Sequence, residues 1–231
     1  MDDIFLSLDK EKKSSLTLWD RYVLRLPSYY LSYFLYNYIG LGANAVSVLS
    51  AVIAVFAFSL VYYSPVENFL VMAVLLNFWV LLDCVDGNIA RTLALKYGST
   101  NIYGELFDSL SGYTVLAGLW VTVGFYLMQI HGETLYLLEG AFSSIMALFS
   151  RMINLRLMIV KGGPSVNRNG WRYRVFETIE IGGLLTPMLV VSYLANEVLL
   201  LMHIYFFINF FLMVYAFFML VKDSRLAGNS S

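Results

Sequence analysis

The sequence predicts an all-α membrane protein: six transmembrane helices preceded by an amphipathic interfacial helix. Three observations predict it. The 231 residues are 59% hydrophobic and 13% charged, whereas soluble domains hold about 45–50% apolar and about 25% charged residues. Six apolar runs approach the roughly 20 residues a spanning helix needs. All 15 Lys and Arg residues fall on one side of the topology those runs define.

Taken in order, residues 1–15 are polar and mixed in charge, without the basic-then-apolar order of a cleavable signal peptide. Residues 16–39 are rich in aromatics (Trp19, Tyr22, Tyr29, Tyr30, Tyr33, Phe34, Tyr36, Tyr38), are broken by Pro27, and carry Asp20, Arg21 and Arg25. Amphipathic aromatic side chains prefer the membrane interface, so this segment reads as a helix lying in it rather than as a seventh span. The spans are expected at 45–63, 68–84, 106–130, 135–157, 175–195 and 198–221, within one transmembrane domain at 40–225. A small polar tail at 226–231 is expected to fray. No soluble domain, low-complexity stretch or internal repeat is evident.

Lys and Arg set the orientation. Lys10, Lys12, Lys13, Arg21 and Arg25 precede the first span, and Arg91 and Lys96 follow the second. Arg151, Arg156, Lys161, Arg168, Arg172 and Arg174 surround the fourth-to-fifth connection, and Lys222 and Arg225 follow the sixth span. The opposite loops hold Glu67, Glu133, Glu139 and Glu197 but no base. Cytoplasmic loops are the basic ones, so both termini and the Asp-rich connection are expected in the cytoplasm, which requires an even number of spans. With its bases tied to topology, the chain has no basic face for a nucleic acid. The lone Cys84 excludes an internal disulfide and a Cys-based zinc site, and reads as a packing residue.

Three carboxylates stand where carboxylates are costly. Asp83 and Asp86 end the second span and Asp108 lies near the start of the third. A charge at membrane depth costs a few kcal/mol even on lenient scales, and such acids face the protein interior with a partner. With only Arg91 close in sequence, a divalent cation is the partner that fits, and oxygen-only ligands suit magnesium, calcium or manganese. Asp83 and Asp86 share a helical face, as do Gly104 and Asp108. Gly87 and Gly104 leave room for a ligand or a helix to approach closely. Taken singly, each acid could also be a helix cap paired with Arg91 or Lys96.

The run Asp83-Cys-Val-Asp86-Gly87-Asn-Ile-Ala90-Arg91, followed by Gly104-Glu-Leu-Phe-Asp108, resembles the signature of the CDP-alcohol phosphotransferase family, D-x-x-D-G-x-x-A-R, a spacer, then G-x-x-x-D-x-x-x-D. The first half matches at every fixed position. Gly40-Leu-Gly-Ala-Asn44-Ala-Val-Ser47 is similar to the family's Pro-Asn-x-x-Thr start of the first span, with Ala43 for Pro and Ser47 for Thr. The resemblance implies an interfacial helix before six spans, and a reaction in which an acceptor hydroxyl attacks the phosphorus nearest the alcohol while CMP leaves. It implies that Asp83, Asp86 and Asp108 bind metal, with magnesium or manganese as the expected cofactor. It further implies that Asn44, Asp83, Gly87, Ala90, Arg91 and Gly104 bind the nucleotide, and that the chain forms a homodimer. The expected partners are a CDP-alcohol donor, a lipid or alcohol acceptor and the membrane lipids.

Two departures stand out. The spacer, Thr92 to Tyr103, is longer than the family's, a tolerable change because loop closure cost grows slowly with length. The family's last Asp, its general base and a metal ligand, falls at Gly112. Glu105 shares a face with Asp108 and Gly112 and is the candidate replacement base, although an early-turn acid is also what the helix dipole favours. Glu177 and Glu180 are further acids on the cytoplasmic side. Alternatively no base is needed, because the acceptor is already an anion such as a lipid phosphate. A third reading is a non-catalytic protein that binds CDP-alcohols. Arg151 and Arg156 close the fourth span and are candidate ligands for a substrate phosphate, which guanidinium binds in a bidentate way. A small transporter is the competing class, but its polar residues would run through the bilayer rather than gather at one face.

Overall fold

The computed structural model describes residues 23–98, 102–160 and 181–228, and among them every regular element is helical. The N-terminal helix α1 (Arg25–Phe34) runs into one π-helical turn (Leu35–Ile39) and stops at Gly40, whose φ of 77° lies in the left-handed region. Pro27 lies within a helical run that is already under way at Val23 and continues to Ile39, so it does not break the segment as the sequence suggests. Tyr29, Ser28 and Ser32 face inward, while Leu26, Tyr30, Phe34 and Tyr38 are exposed.

The next two helices, α2 (Ala43–Tyr63) and α3 (Pro65–Tyr97), are separated by Ser64 alone. Ser64 is extended, Pro65 opens α3 with a pre-set φ, and the Ser64 hydroxyl donates to Glu67 at 3.1 Å in the first turn. At 33 residues, α3 is about 50 Å long, more than a bilayer's hydrocarbon core of about 30 Å. The expected end near Cys84 is therefore corrected to Tyr97, with Gly98 as a left-handed cap. Charge ends an apolar run, but Asp86 to Lys96 holds no proline, and the helix continues through it. The signature acids thus stand on a continuous helix and not in a loop.

Helix α4 (Ile102–His131) and helix α5 (Thr134–Val160) follow, turning at Gly132 with φ 76°. They cross closely. A side chain at Gly140 would collide with the Trp120 carbonyl, and one at Gly124 with that of Tyr136. A second π-helical turn (Ile181–Leu185) leads into α6 (Thr186–Leu194), which begins with a proline in its first turn. The last helix is α7 (Val198–Gly228).

The main core lies between α2, α3 and α4, with α6 and α7 closing it. Phe58, Phe69, Met72, Leu76, Trp79, Leu119, Trp120, Leu189 and Met202 are buried there. Helix α5 packs between α4 and α7, and α1 packs on α3. Among the described residues, four helices are long and apolar enough to cross a membrane: Ala43–Tyr63, Pro65–Tyr97, Leu106–His131 and Val198–Lys222. Their length and apolar composition are those of membrane-crossing helices. The expected fourth span coincides with α5, which is long enough but carries Glu139, Ser143, Ser144, Ser150, Arg151 and Arg156. Of the expected fifth span, 175–180 lies outside the described residues, and the apolar helix Gly183–Leu194 is shorter than a crossing.

Candidate active site

The site stands where α2, α3 and α4 meet. Asp83 and Asp86 are on one face of α3, and Asp108 is in the second turn of α4. One carboxylate oxygen from each lies within 4.8 Å of the others. Asp86 is 5% exposed, Asp83 is half-buried and Asp108 is exposed, so the cluster opens outward past Asp108. Three ionised carboxylates at this separation repel by roughly 3 kcal/mol per pair at a protein's effective dielectric. A divalent cation would remove that repulsion, and an oxygen-only donor set suits magnesium, calcium or manganese.

A chain of hydrogen bonds ties the three helices together beneath the carboxylates. Trp79 Nε1 on α3 donates to Ser111 Oγ on α4 at 2.8 Å. The Ser111 and Ser50 hydroxyls are 2.8 Å apart, and Ser50 on α2 donates to the Ser47 carbonyl at 2.8 Å. Ser47 in turn donates to Asp86 Oδ2 at 2.6 Å. Indole N–H only donates, carboxylate only accepts, and each serine has one proton to give. The Ser50 proton is committed to Ser47, so Ser111 is the donor between the two hydroxyls. Trp79 precedes Asp83 by one turn and Ser111 follows Asp108 by one turn, so these bonds fix the register that brings the acids together.

A second network joins α1 to α3. The Asn88 amide donates to Ser28 Oγ at 3.2 Å and Ser32 Oγ at 3.3 Å, while its oxygen accepts from Arg91 Nη2 at 2.7 Å. Held this way, the Arg91 guanidinium folds back over Gly87, where an added Cβ would come within 3.1 Å of Arg91 Nη1. What lies close over Gly87 is the chain's own arginine.

At Gly112, where the resemblance expects an acid, a Cβ would lie 3.9 Å from Arg151 Nη2. That guanidinium also stands 5.8 Å above the Tyr113 ring. The Arg151 guanidinium therefore stands beside the position where the resemblance expects a carboxylate. Arg156, a turn further along α5, is exposed, as is Ala90 on α3, and Asn44 is half-buried in the first turn of α2. Gly104 lies in the first turn of α4. The Glu105 side chain lies outside the described residues, as do Lys161, Arg168, Arg172, Arg174, Glu177 and Glu180. His203 takes no part here; its Nδ1 lies 2.6 Å from Glu139 Oε1, between α7 and α5.

Sequence reasoning missed Trp79, Ser50, Ser111, Asn88, Ser28 and Ser32. A signal existed in part: Trp79 and Ser111 stand at helical spacing from Asp83 and Asp108, and Ser28 and Ser32 are one turn apart.

The sequence model of one family, described as CDP-alcohol phosphatidyltransferase, matches residues 41–222. No curated protein and no solved structure matches the chain.

Proposed function

The chain belongs to the CDP-alcohol phosphatidyltransferase family, a group of transferases that move a phosphoalcohol from a CDP-alcohol in lipid biosynthesis, and from that premise we propose that it carries out this transfer at the α2–α3–α4 site with a divalent metal. The observation that carries the reading is the meeting of Asp83, Asp86 and Asp108 within 4.8 Å from two helices. These residues would hold magnesium or manganese, which when bound neutralises the diphosphate and the developing charge on the leaving phosphate. Asn44, Asp83, Gly87, Ala90, Arg91 and Gly104 would bind the nucleotide. A new bond forms from the acceptor oxygen to the phosphorus nearest the alcohol, the phosphorus bond to the CMP oxygen breaks, and CMP leaves with that electron pair. What the chain contributes is placement: in phosphoryl transfer, positioning and electrostatics do most of the work.

The acceptor divides two readings. With a neutral hydroxyl, Glu105 is the residue to take its proton. With an anionic acceptor such as a lipid phosphate, no proton has to move, and the product is diphosphate-linked. The nearness of the Arg151 guanidinium to position 112 favours the second, because it offers positive charge where a base would otherwise stand. Arg156 would extend that attraction.

In this reading the protein has six spans, with α5 and the segment ending in α6 as the fourth and fifth, and both termini in the cytoplasm. The outward aromatic face of α1, with polar Ser28 and Ser32 turned inward, supports an interfacial helix. A homodimer is carried over from the family.

The test is CMP release by purified protein from a panel of CDP-alcohols, with magnesium or manganese, with neutral or phosphorylated lipid acceptors, beside Asp86→Asn. Metal-dependent release that Asp86→Asn abolishes is expected. No release from any donor and acceptor pair, despite nucleotide binding, would leave a binding protein instead. Stimulation only by neutral alcohols would sink the anionic acceptor and return the role of base to Glu105.

A further inference from the structure

Two arginines come near each other across the α1–α3 interface, both tied to the Ser28–Asn88 hydrogen bonds. Arg25 comes from the start of α1 and Arg91 from α3, and they are close enough for their charges to interact. Both side chains are partly buried. Arg25 Nη2 and Arg91 Nε are buried and have no hydrogen-bond partner. Among the described residues, neither guanidinium has a carboxylate within ion-pair distance. Like charges brought together out of water are unfavourable, and a buried N–H left without an acceptor adds its own desolvation cost.

The surroundings hold this arrangement in place. The Arg25 guanidinium carbon lies 5.1 Å from the centre of the Tyr29 ring, a cation–π contact. The Arg25 carbonyl accepts from Ser28 Oγ at 2.9 Å, and Ser28 is itself bonded by Asn88, the residue that anchors Arg91. The Arg25 backbone and the Arg91 guanidinium are therefore tied into one set of hydrogen bonds. Arg91 lies over Gly87, next in the chain to Asp86, so the pair flanks the carboxylate cluster on the α1 side.

We infer that Arg25 and Arg91 form a phosphate-binding pair, with the orphaned N–H groups as its donors and α1 as an element of the site. Guanidinium planes suit phosphate because they offer paired donors in fixed geometry. A diphosphate held by metal on one side of Gly87 would have its remaining oxygens met on the other. The same chemistry suits a lipid phosphate, since α1 turns Leu26, Tyr30 and Phe34 outward. The nucleotide form of this inference rests on the proposed donor site, and the lipid form does not.

The experiment uses the full chain in neutral-lipid nanodiscs, with Arg25→Gln and Arg25→Lys. Calorimetry would measure binding of CDP and of cytidine with magnesium present, and native mass spectrometry would measure phosphatidic acid retained by detergent-purified protein. A loss of CDP affinity on the order of ten-fold in Arg25→Gln, with cytidine unaffected and Arg25→Lys in between, assigns the pair to the nucleotide; it matches the loss of one charge-assisted hydrogen bond. Unchanged CDP binding with less retained phosphatidic acid assigns it to a lipid headgroup. Normal binding of both by Arg25→Gln overturns the inference and leaves Arg25 as a packing residue over Tyr29. If Arg25→Gln does not fold, Arg25→Lys is read on the same arms. Wild-type protein that binds no CDP would be a failure of the transferase reading, and the lipid arm alone would then decide the pair.

Discussion

Ser47 is small, buried and uncharged, yet it touches the most deeply buried of the three carboxylates. Hydrogen-bond partners behind a metal ligand typically govern 10–100-fold of metal affinity. Ser47→Ala is accordingly expected to raise the metal concentration for half-maximal CMP release by about ten-fold or more. Trp79→Phe keeps an aromatic ring but removes the N–H that opens the chain of bonds, and should move the same titration in the same direction by less. Gly87→Ala has a different signature. The atom it meets is the far end of Arg91, which can move, so melting should barely change while CDP binding falls. The acids were legible in the sequence because charge inside an apolar run has few explanations and because their spacing is local. Ser50, Ser111 and Trp79 were not, and Ser47 was marked only by its place in the Asn44-to-Ser47 segment. Serine and tryptophan are at home in membrane helices, and which hydroxyl meets which indole depends on how helices pack.

Among elements, α3 shows the limit of reading apolar runs. Hydropathy reports the solvent around a helix, and backbone hydrogen bonding reports where it ends; for α3 these differ by more than three turns. The crossing of α4 and α5 was equally hidden, since Gly124 and Gly140 are ordinary in composition and only their juxtaposition matters. At Gly140 an added methyl meets the backbone of Trp120, which cannot retreat without bending a helix. Gly140→Ala should therefore destabilise by about 1–3 kcal/mol, the usual cost of overpacking, visible as a lower melting temperature in detergent. Gly118→Ala meets the ring of Phe58, itself buried in the core, and should lower the melting temperature as well.

For the whole molecule, the one-sided Lys and Arg pattern and the six apolar runs yielded a topology, of which four candidate spans are visible as long apolar helices. The more polar α5 and the short α6 are the parts where composition and length diverge. The topology has a direct check in a Cys84→Ala background. Lys96→Cys should react with a membrane-impermeant thiol reagent from the cytoplasmic side only, and Glu133→Cys from the opposite side only. Reaction of both from one side would overturn the six-span arrangement.

The bonds running from Trp79 through Ser111 and Ser50 to Ser47 and Asp86 use up the protons of every hydroxyl they pass through. Along this chain the serine hydroxyls consequently have no proton left to offer a visitor. This part of the wall is a finished surface, indifferent to which alcohol arrives. Choice among alcohols then falls to the rim, where α4 begins and α5 ends. Swapping rim residues should retune which molecule is accepted while the buried wall stays as it is, so that recognition and chemistry are free to change separately.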